Sequence, residues 1–365
     1  MSGFLVEPSW RHDMAQRVGI LLVNLGSPEA PTPKALRKYL AQFLSDPRVV
    51  EAPRWFWLPL LHGFLLNSLP AKSAAKYAKV WTKQGAPLRV ATEIQAKMLA
   101  GYFAKSGHGE LRVEYAMRYG APSIEQGLMK LKACQCSRIL ALPLYPQYAS
   151  SSTGSVFDAL GEAARHIRNL PELRFVRGFH DHPAYLSALT SSVVEHWKRE
   201  GLPERLLMSF HGLPKAMLDK GDPYFCECHK TARLLAEQLG LKPEQYAVSF
   251  QSRFGRSEWL KPYTDATLKT WGREGVKTVD VVCPGFVSDC LETLEEIAQD
   301  GRAAFLSSGG KAFRYIEALN TRHEFIAALQ RIVQESIQDW LARPVPDKDA
   351  LALQQTRAVL LGAHQ

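Results

Sequence analysis

A chain of 365 residues with a formal net charge of +9 is too long for one ordinary core and calls for two packed units or one large α/β body. At 46% hydrophobic and 22% charged residues it is globular, neither disordered nor fibrous. The basic balance suits an anionic ligand or an anionic membrane face, and the lack of a Lys/Arg run or RNA-binding signature excludes nucleic acid.

The opening stretch MSGFLVEPSWRHDMAQR has no apolar core or small-residue cleavage site of a secretory signal. Its two acids, Glu7 and Asp13, do not suit a transit peptide, and no later run is apolar enough to span a bilayer, so a cytoplasmic protein is expected. Arg17 to Pro28, RVGILLVNLGSP, reads as a strand ending in Asn24-Leu25-Gly26. A helix follows from Thr32 as cap, with Pro33 at its first position, to Leu44. Trp55 to Leu69 then holds no Asp, Glu, Lys or Arg, and Pro59 and Gly63 are expected to break it. Two readings fit that stretch: a core helix, or a partly exposed apolar lip facing a hydrophobic ligand or a membrane surface.

Glu93 to Lys105 patterns as a helix, and Leu111 to Met117 as a strand ending in Arg118-Tyr119-Gly120. A helix from about Ser123 to Lys132 leads to the strand Arg138 to Leu144, which runs into Tyr145 and a hydroxyl-rich loop, Ser150 to Ser155. A helix to about Asn169, a strand near Leu173 to Gly178 and a helix from Ala184 to Glu200 complete this part.

The scheme then restarts. The strand Leu206 to Phe210 ends in His211-Gly212, the helix Thr231 to Leu239 follows, and the strand Tyr246 to Gln251 ends in Ser252-Arg253-Phe254-Gly255. The helix Tyr263 to Glu274 leads to a strand through Val282, a Pro284-Gly285 break, and a helix capped by Ser288 or Asp289. On that helix Glu292, Glu296 and Asp300 fall at i, i+4 and i+8, one row down one face. The row is either a solvated face or a site where a cation or protons offset its self-repulsion. A helix from Arg322 to about Ala342, a break at Arg343-Pro344-Val345-Pro346 and a last helix from about Asp349 close the chain.

Alternating strands and helices predict parallel sheets in an α/β fold. The two parts also match: Arg118-Tyr119-Gly120 corresponds to Arg253-Phe254-Gly255, and Asn24-Leu25-Gly26 to Phe210-His211-Gly212. Two doubly wound halves, 15–170 and 171–330, with a helical extension 331–365, would meet at a cleft onto which strand C-termini open, and ligands bind there in such sheets. His211, Arg118, Tyr145, Ser150 and the top of the acidic helix all come at strand C-termini. Imidazole at His211 can take a proton or bind a metal, and the three carboxylates can bind a divalent cation or relay protons. No G-x-G-x-x-G or G-x-x-x-x-G-K-[ST] pattern is present, which disfavours nucleotide chemistry. Six cysteines are too sparse for a disulfide framework. Two C-x-C pairs, Cys134/Cys136 and Cys226/Cys228, read either as incidental thiols or as ligands of zinc or an iron–sulfur cluster.

The motifs LLVNLGSP, YAMRYG, LPLYPQYASSSTGS, SFHGLP followed by KGDPY, FQSRFGRSEWLKPYTD and CPGFVSDCLETLEE are specific in combination, and through them the chain resembles the ferrochelatase family from about Arg17 to Leu329. The resemblance implies a chelatase-like pair of Rossmann-like halves clamping a porphyrin, with Fe²⁺ as substrate, protoporphyrin IX as acceptor and no organic cofactor. It implies His211 and Glu292 at the catalytic centre, and places both with Glu296 and Asp300 as metal-facing groups along a widened helical turn. It further implies Leu25, Arg118, Tyr119, Tyr145, Ser150, Trp259, Phe286 and Asp289 around the porphyrin, and Trp55 to Leu69 as a lip at the inner face of an anionic membrane. Three departures stand out. Ser68-Leu69-Pro70-Ala71 offers no arginine for propionates, Cys290 stands where the family often has histidine, and Ser150 stands where some members have a cluster cysteine. A [2Fe–2S] cluster of the animal type is therefore not expected, which leaves only the C-x-C pairs. The rival readings are a chelatase for another metal or tetrapyrrole, such as cobalt or coproporphyrin, and a haem or porphyrin carrier without turnover. No feature sets an oligomeric state.

Overall fold

The computed structural model describes residues 3–255, 257–343 and 346–363. Its strands form two four-stranded sheets with one connectivity used twice. The first sheet is ordered β2-β1-β3-β4, from Arg17–Gly26 (β1), Arg112–Tyr119 (β2), Cys136–Pro143 (β3) and Glu172–Phe175 (β4). The second is ordered β6-β5-β7-β8, from Arg205–His211 (β5), Tyr246–Gln251 (β6), Thr278–Val282 (β7) and Ala312–Ile316 (β8). Every neighbouring pair is parallel. β1 sits inside its sheet with Ile20, Leu21, Leu22 and Val23 fully buried, which explains its unbroken apolar run: a strand covered on both faces does not alternate.

The largest core lies between the sheets. It joins β1 and β3 to β5 through the helices Pro87–Lys105, Pro183–Glu200, Tyr224–Leu239 and His323–Leu341. The helix after β4 and the helix after β8 pack on each other, so the repeat that shapes the sheets also shapes their junction. β4 completes the first sheet although it follows the boundary expected at 170/171. The boundary expected at 330/331 falls inside the helix His323–Leu341, which also packs on the helix Pro87–Lys105 of the first half. Of the break expected at Arg343 to Pro346, Pro344 and Val345 lie outside the described residues. The helix beyond it, Lys348–Leu360, is capped by Asp347, whose side chain accepts from the Ala350 amide at 2.7 Å.

Three local expectations change. β8 has no counterpart in the elements expected from sequence, although Phe313-Arg314-Tyr315 alternates as a short strand does. The structure pairs it in register with Asp280 of β7, the Arg314 Nε donating at 2.5 Å, so a buried charge is neutralised within the sheet. Pro59 and Gly63 do not end the apolar stretch. It runs as Arg54–Leu60, a widened π-turn Leu61–Leu65, and Leu66–Val80, one rod in which the wide turn follows the proline. Its Leu61 and Leu66 bury beside Leu44, but Trp55 is 81% exposed, Phe56 54% and Phe64 72%. An exposed lip is what forms, not a core helix. The hydroxyl-rich segment is likewise no loop: Ser150–Gly154 is a π-turn that opens the helix Ser155–Ala164.

Candidate active-site cleft

The strand ends come together because two glycines permit it. Gly26, closing β1, has φ +108°, and a Cβ there would lie 1.8 Å from the Tyr119 carbonyl oxygen. Gly212, just past β5, would place one 2.6 Å from the Gln251 carbonyl. Any side chain at either position would push the neighbouring strand end away.

Between these edges lies a cavity with about 1330 Å³ of empty space, its open mouth included. Leu25, Tyr145, His211, Trp259, Phe286 and Glu292 of the expected set line it, joined by Tyr77, Met217, Tyr224, Phe254 and Cys290. The walls are mostly apolar with few polar groups, the usual make-up of a site for a flat hydrophobic ligand. Among the described residues no Lys or Arg lines it. The Trp259 indole N–H and the Tyr145 hydroxyl are buried there with no protein partner.

His211 is oriented by its own turn. Its Nδ1 donates to the Gly212 carbonyl at 2.6 Å, which selects the tautomer whose lone pair, in the neutral ring, lies on Nε2. The carboxylate row lies on Glu292–Gly301, a full π-helix rather than an α-helix. Neither Ser288 nor Asp289 caps it. Helical dihedrals already hold at Leu291, Ser288 Oγ accepts from Gln95 Nε2 at 2.9 Å, and Asp289 is taken up by Tyr315, Thr293 and Asn320.

The three acids of the row differ in setting. Glu292 faces the cavity, and its carboxylate, after burial itself, helps push the adjacent Cys290 thiol up, so Cys290 stays a neutral thiol. Glu296 accepts from the Ser252 amide at 2.6 Å and its hydroxyl at 2.5 Å. Burial raises its carboxyl above the ordinary value, and Ser252 and His211 only partly oppose this. Ser252 itself holds φ +65° at the end of β6 to make these contacts. Asp300 is exposed at the outer end. Among the described residues no three His, Cys, Asp or Glu side chains close into a metal-chelating cluster; the row runs from cavity to surface instead.

Four of the expected residues sit behind the wall. Arg118 and Tyr119 meet Asp46, at 2.5 Å from Arg118 Nη2 and 2.8 Å from the Tyr119 hydroxyl, with Ser155 closing the cluster. Ser150 Oγ accepts from Arg48 at 3.0 Å while Ser151 and Ser152 face the cavity, and Asp289 is held in the network named above. Sequence reasoning passed over Asp46 and also Glu295, a buried acid that accepts from Lys76 and Lys79 at 2.9 and 3.1 Å. Asp46 carried no signal. Glu295 carried one, the doubled acid of LETLEE. The thiols stay separate: Cys134 and Cys136 flank the start of β3, whereas Cys226 and Cys228 lie in the first turns of the helix Tyr224–Leu239. Burial pushes the Cys136 thiol up to about 12, and thiolate is what metals bind.

The ferrochelatase family model matches residues 17–337. The ferrochelatase of Aromatoleum aromaticum is 58% identical over 365 residues, covering all of both chains, and that of Azoarcus sp. (strain BH72) is equally similar over the same span. The ferrochelatase of Nitrosomonas europaea is 49% identical, again over both full lengths. SirB from Bacillus subtilis, solved with Fe³⁺, shares the fold at a TM-score of 0.51 and 12% identity, covering 91% of this chain and all of that one. With matches of this length and identity, the chain belongs to the ferrochelatase family.

Proposed function

We propose that this chain inserts ferrous iron into a porphyrin held in the cavity, a step of haem synthesis. The observation that carries it is the pairing of an imidazole, its Nδ1 committed to the Gly212 carbonyl and its Nε2 free of protein partners among the described residues, with a carboxylate on the wall of one apolar cavity. Insertion releases two pyrrole N–H protons for each Fe²⁺ taken up. His211 Nε2 is placed to accept the first of these, and Glu292 begins a row that conducts charge outward. Glu296, with its carboxyl raised by burial, holds a proton at higher pH than a free carboxylate would, as a relay group must. Glu296 and Asp300 therefore serve as the outward path, and either protons or Fe²⁺ can travel it.

Protoporphyrin IX is the porphyrin the wall favours. It carries two carboxylates against four on coproporphyrin, and the described lining has no Lys or Arg to neutralise them. The roles of Arg118, Tyr119, Ser150 and Asp289 are indirect: each fixes a segment behind the wall. The exposed Trp55, Phe56 and Phe64, in a protein of net charge +9, suit shallow docking on an anionic cytoplasmic membrane face, and among the described residues no helix is long and apolar enough to cross one. The C-x-C pairs are read as structural thiols.

Anaerobic absorbance tests the proposal. The parent protein is expected to convert protoporphyrin and Fe²⁺ to haem, with coproporphyrin turning over more slowly. Porphyrin binding without metal insertion would make the chain a carrier instead.

A further inference from the structure

Glu295 follows Glu292 by three residues and precedes Glu296 by one, yet it faces elsewhere. A turn closed by i→i+5 bonds holds more residues than an α-turn, which keeps Glu292 and Glu296 near one row and swings Glu295 toward the lip rod. Its side chain is 3% exposed and sits between Lys76 and Lys79, themselves about half exposed. Both lysines lie on Leu66–Val80, continuous with the stretch that displays Trp55, Phe56 and Phe64. Their neighbour Tyr77 lines the cavity and lies close enough to Glu292 to feel its charge. Lys76 likewise feels Asp300 and Glu296. A carboxylate buried this deeply is costly unless paired, so the two lysines hold the rod where it is.

We propose that Glu295, clamped by Lys76 and Lys79, is a positioning residue that ties the lip rod to the π-helix and so sets where Glu292 and Glu296 stand. Movement of the lip around a ligand or on a membrane then reaches the carboxylate row through one ion-paired contact. The effect on rate rests on the iron-insertion reading above; the mechanical tie does not.

The test uses the full chain and the double variant Lys76→Met with Lys79→Met, which leaves Glu295 buried and unpaired, alongside Glu295→Gln and the conservative pair Lys76→Arg with Lys79→Arg. Amide hydrogen exchange across 292–301 is expected to quicken about fivefold or more in the methionine pair, with β1 and β5 unchanged. The kcat for iron insertion should fall about tenfold while porphyrin affinity stays within about twofold, and the arginine pair should recover both. Glu295→Gln should show the same split if it folds, and the lysine variants decide if it does not. Unchanged exchange across 292–301 overturns the tie whatever the activity. Faster exchange with an unchanged kcat overturns the positioning role. If the parent inserts no iron, the functional reading fails, and the exchange comparison still decides the tie.

Discussion

Two polar clusters stand at strand C-termini, and they are built on opposite plans. The cluster around Asp46 is closed: Arg118, Tyr119, Ser155 and the Arg48 amide all spend their hydrogen bonds on one carboxylate. The cleft is open: Nε2 of His211 has no protein partner among the described residues, and Trp259 Nε1 and the Tyr145 hydroxyl are buried without one. A satisfied buried network rigidifies, whereas unsatisfied groups lower stability and leave bonding capacity for something else. The same connectivity, used twice, thus frames one cluster that holds the fold and another that holds the chemistry. Substitutions in the first should cost stability, and substitutions in the second should cost rate.

The largest expected break in that contrast is on the open side. His211→Ala should lower kcat for iron insertion by about 10²–10⁴-fold, the usual worth of a positioned proton acceptor, with little change in the thermal midpoint. Glu292→Gln should cut kcat while porphyrin binding, read by fluorescence quenching, persists. Wild-type kcat in either variant would remove that residue from the mechanism.

On the closed side Asp46→Asn should destabilise by about 3–5 kcal/mol, measured by denaturant unfolding, because it leaves the Arg118 charge without its buried partner. Burial alone would raise the Asp46 carboxyl; hydrogen bonds from Ser155, the Arg48 amide and Tyr119, with the Arg118 charge, bring it below its ordinary 3.8. A carboxyl lowered in the folded state stabilises above its unfolded value and loses that contribution as pH falls through the folded one. The gap between parent and Asp46→Asn should therefore be full at pH 7 and close below 3.8. A gap that stays constant with pH would mean the carboxylate charge is not what the cluster holds.

How far these clusters were legible in the sequence follows the same division. Strands with an unbroken apolar run, such as Ile20 to Val23 of β1, and glycines at their ends announce themselves locally, so the paired parallel sheets and the place of His211 could be read directly. Glu292 was legible as the head of an acidic row. β8 is only five residues long and was passed over, and the partner that makes its Arg314 at home, Asp280, lies 34 positions away. Asp46 was not legible, because its side-chain partners come from residues 72 to 109 positions away. The spacing of Glu292, Glu296 and Asp300 suits an α-row equally well, so the wider turn was legible only through the family resemblance; in the structure Glu295, drawn to Lys76 and Lys79 more than 200 residues earlier in the chain, marks it.

The lip offers a gentler test of the open side. Trp55→Ser with Phe64→Ser removes two exposed rings that no core needs, so folding should be unaffected while co-sedimentation with anionic vesicles weakens. Each ring withdrawn from water is worth up to about 1.5–3 kcal/mol, and shallow insertion realises only part of that. Unchanged sedimentation would leave the rings to the porphyrin alone.

The smallest effect separates the two plans most cleanly, because it changes one hydroxyl on each. Tyr119→Phe removes a donor that Asp46 uses at 2.8 Å, in a place no water reaches, and should cost about 1–3 kcal/mol of stability. Tyr145→Phe removes a hydroxyl that is buried with no protein partner, so the folded protein loses only a desolvation penalty and should gain up to about 1 kcal/mol. Two tyrosines at the strand ends of one sheet should thus respond to the same deletion with opposite sign in the ligand-free protein. Equal signs for the two would mean that the cleft is as fully satisfied as the cluster behind it, and the contrast between holding and reacting would fail.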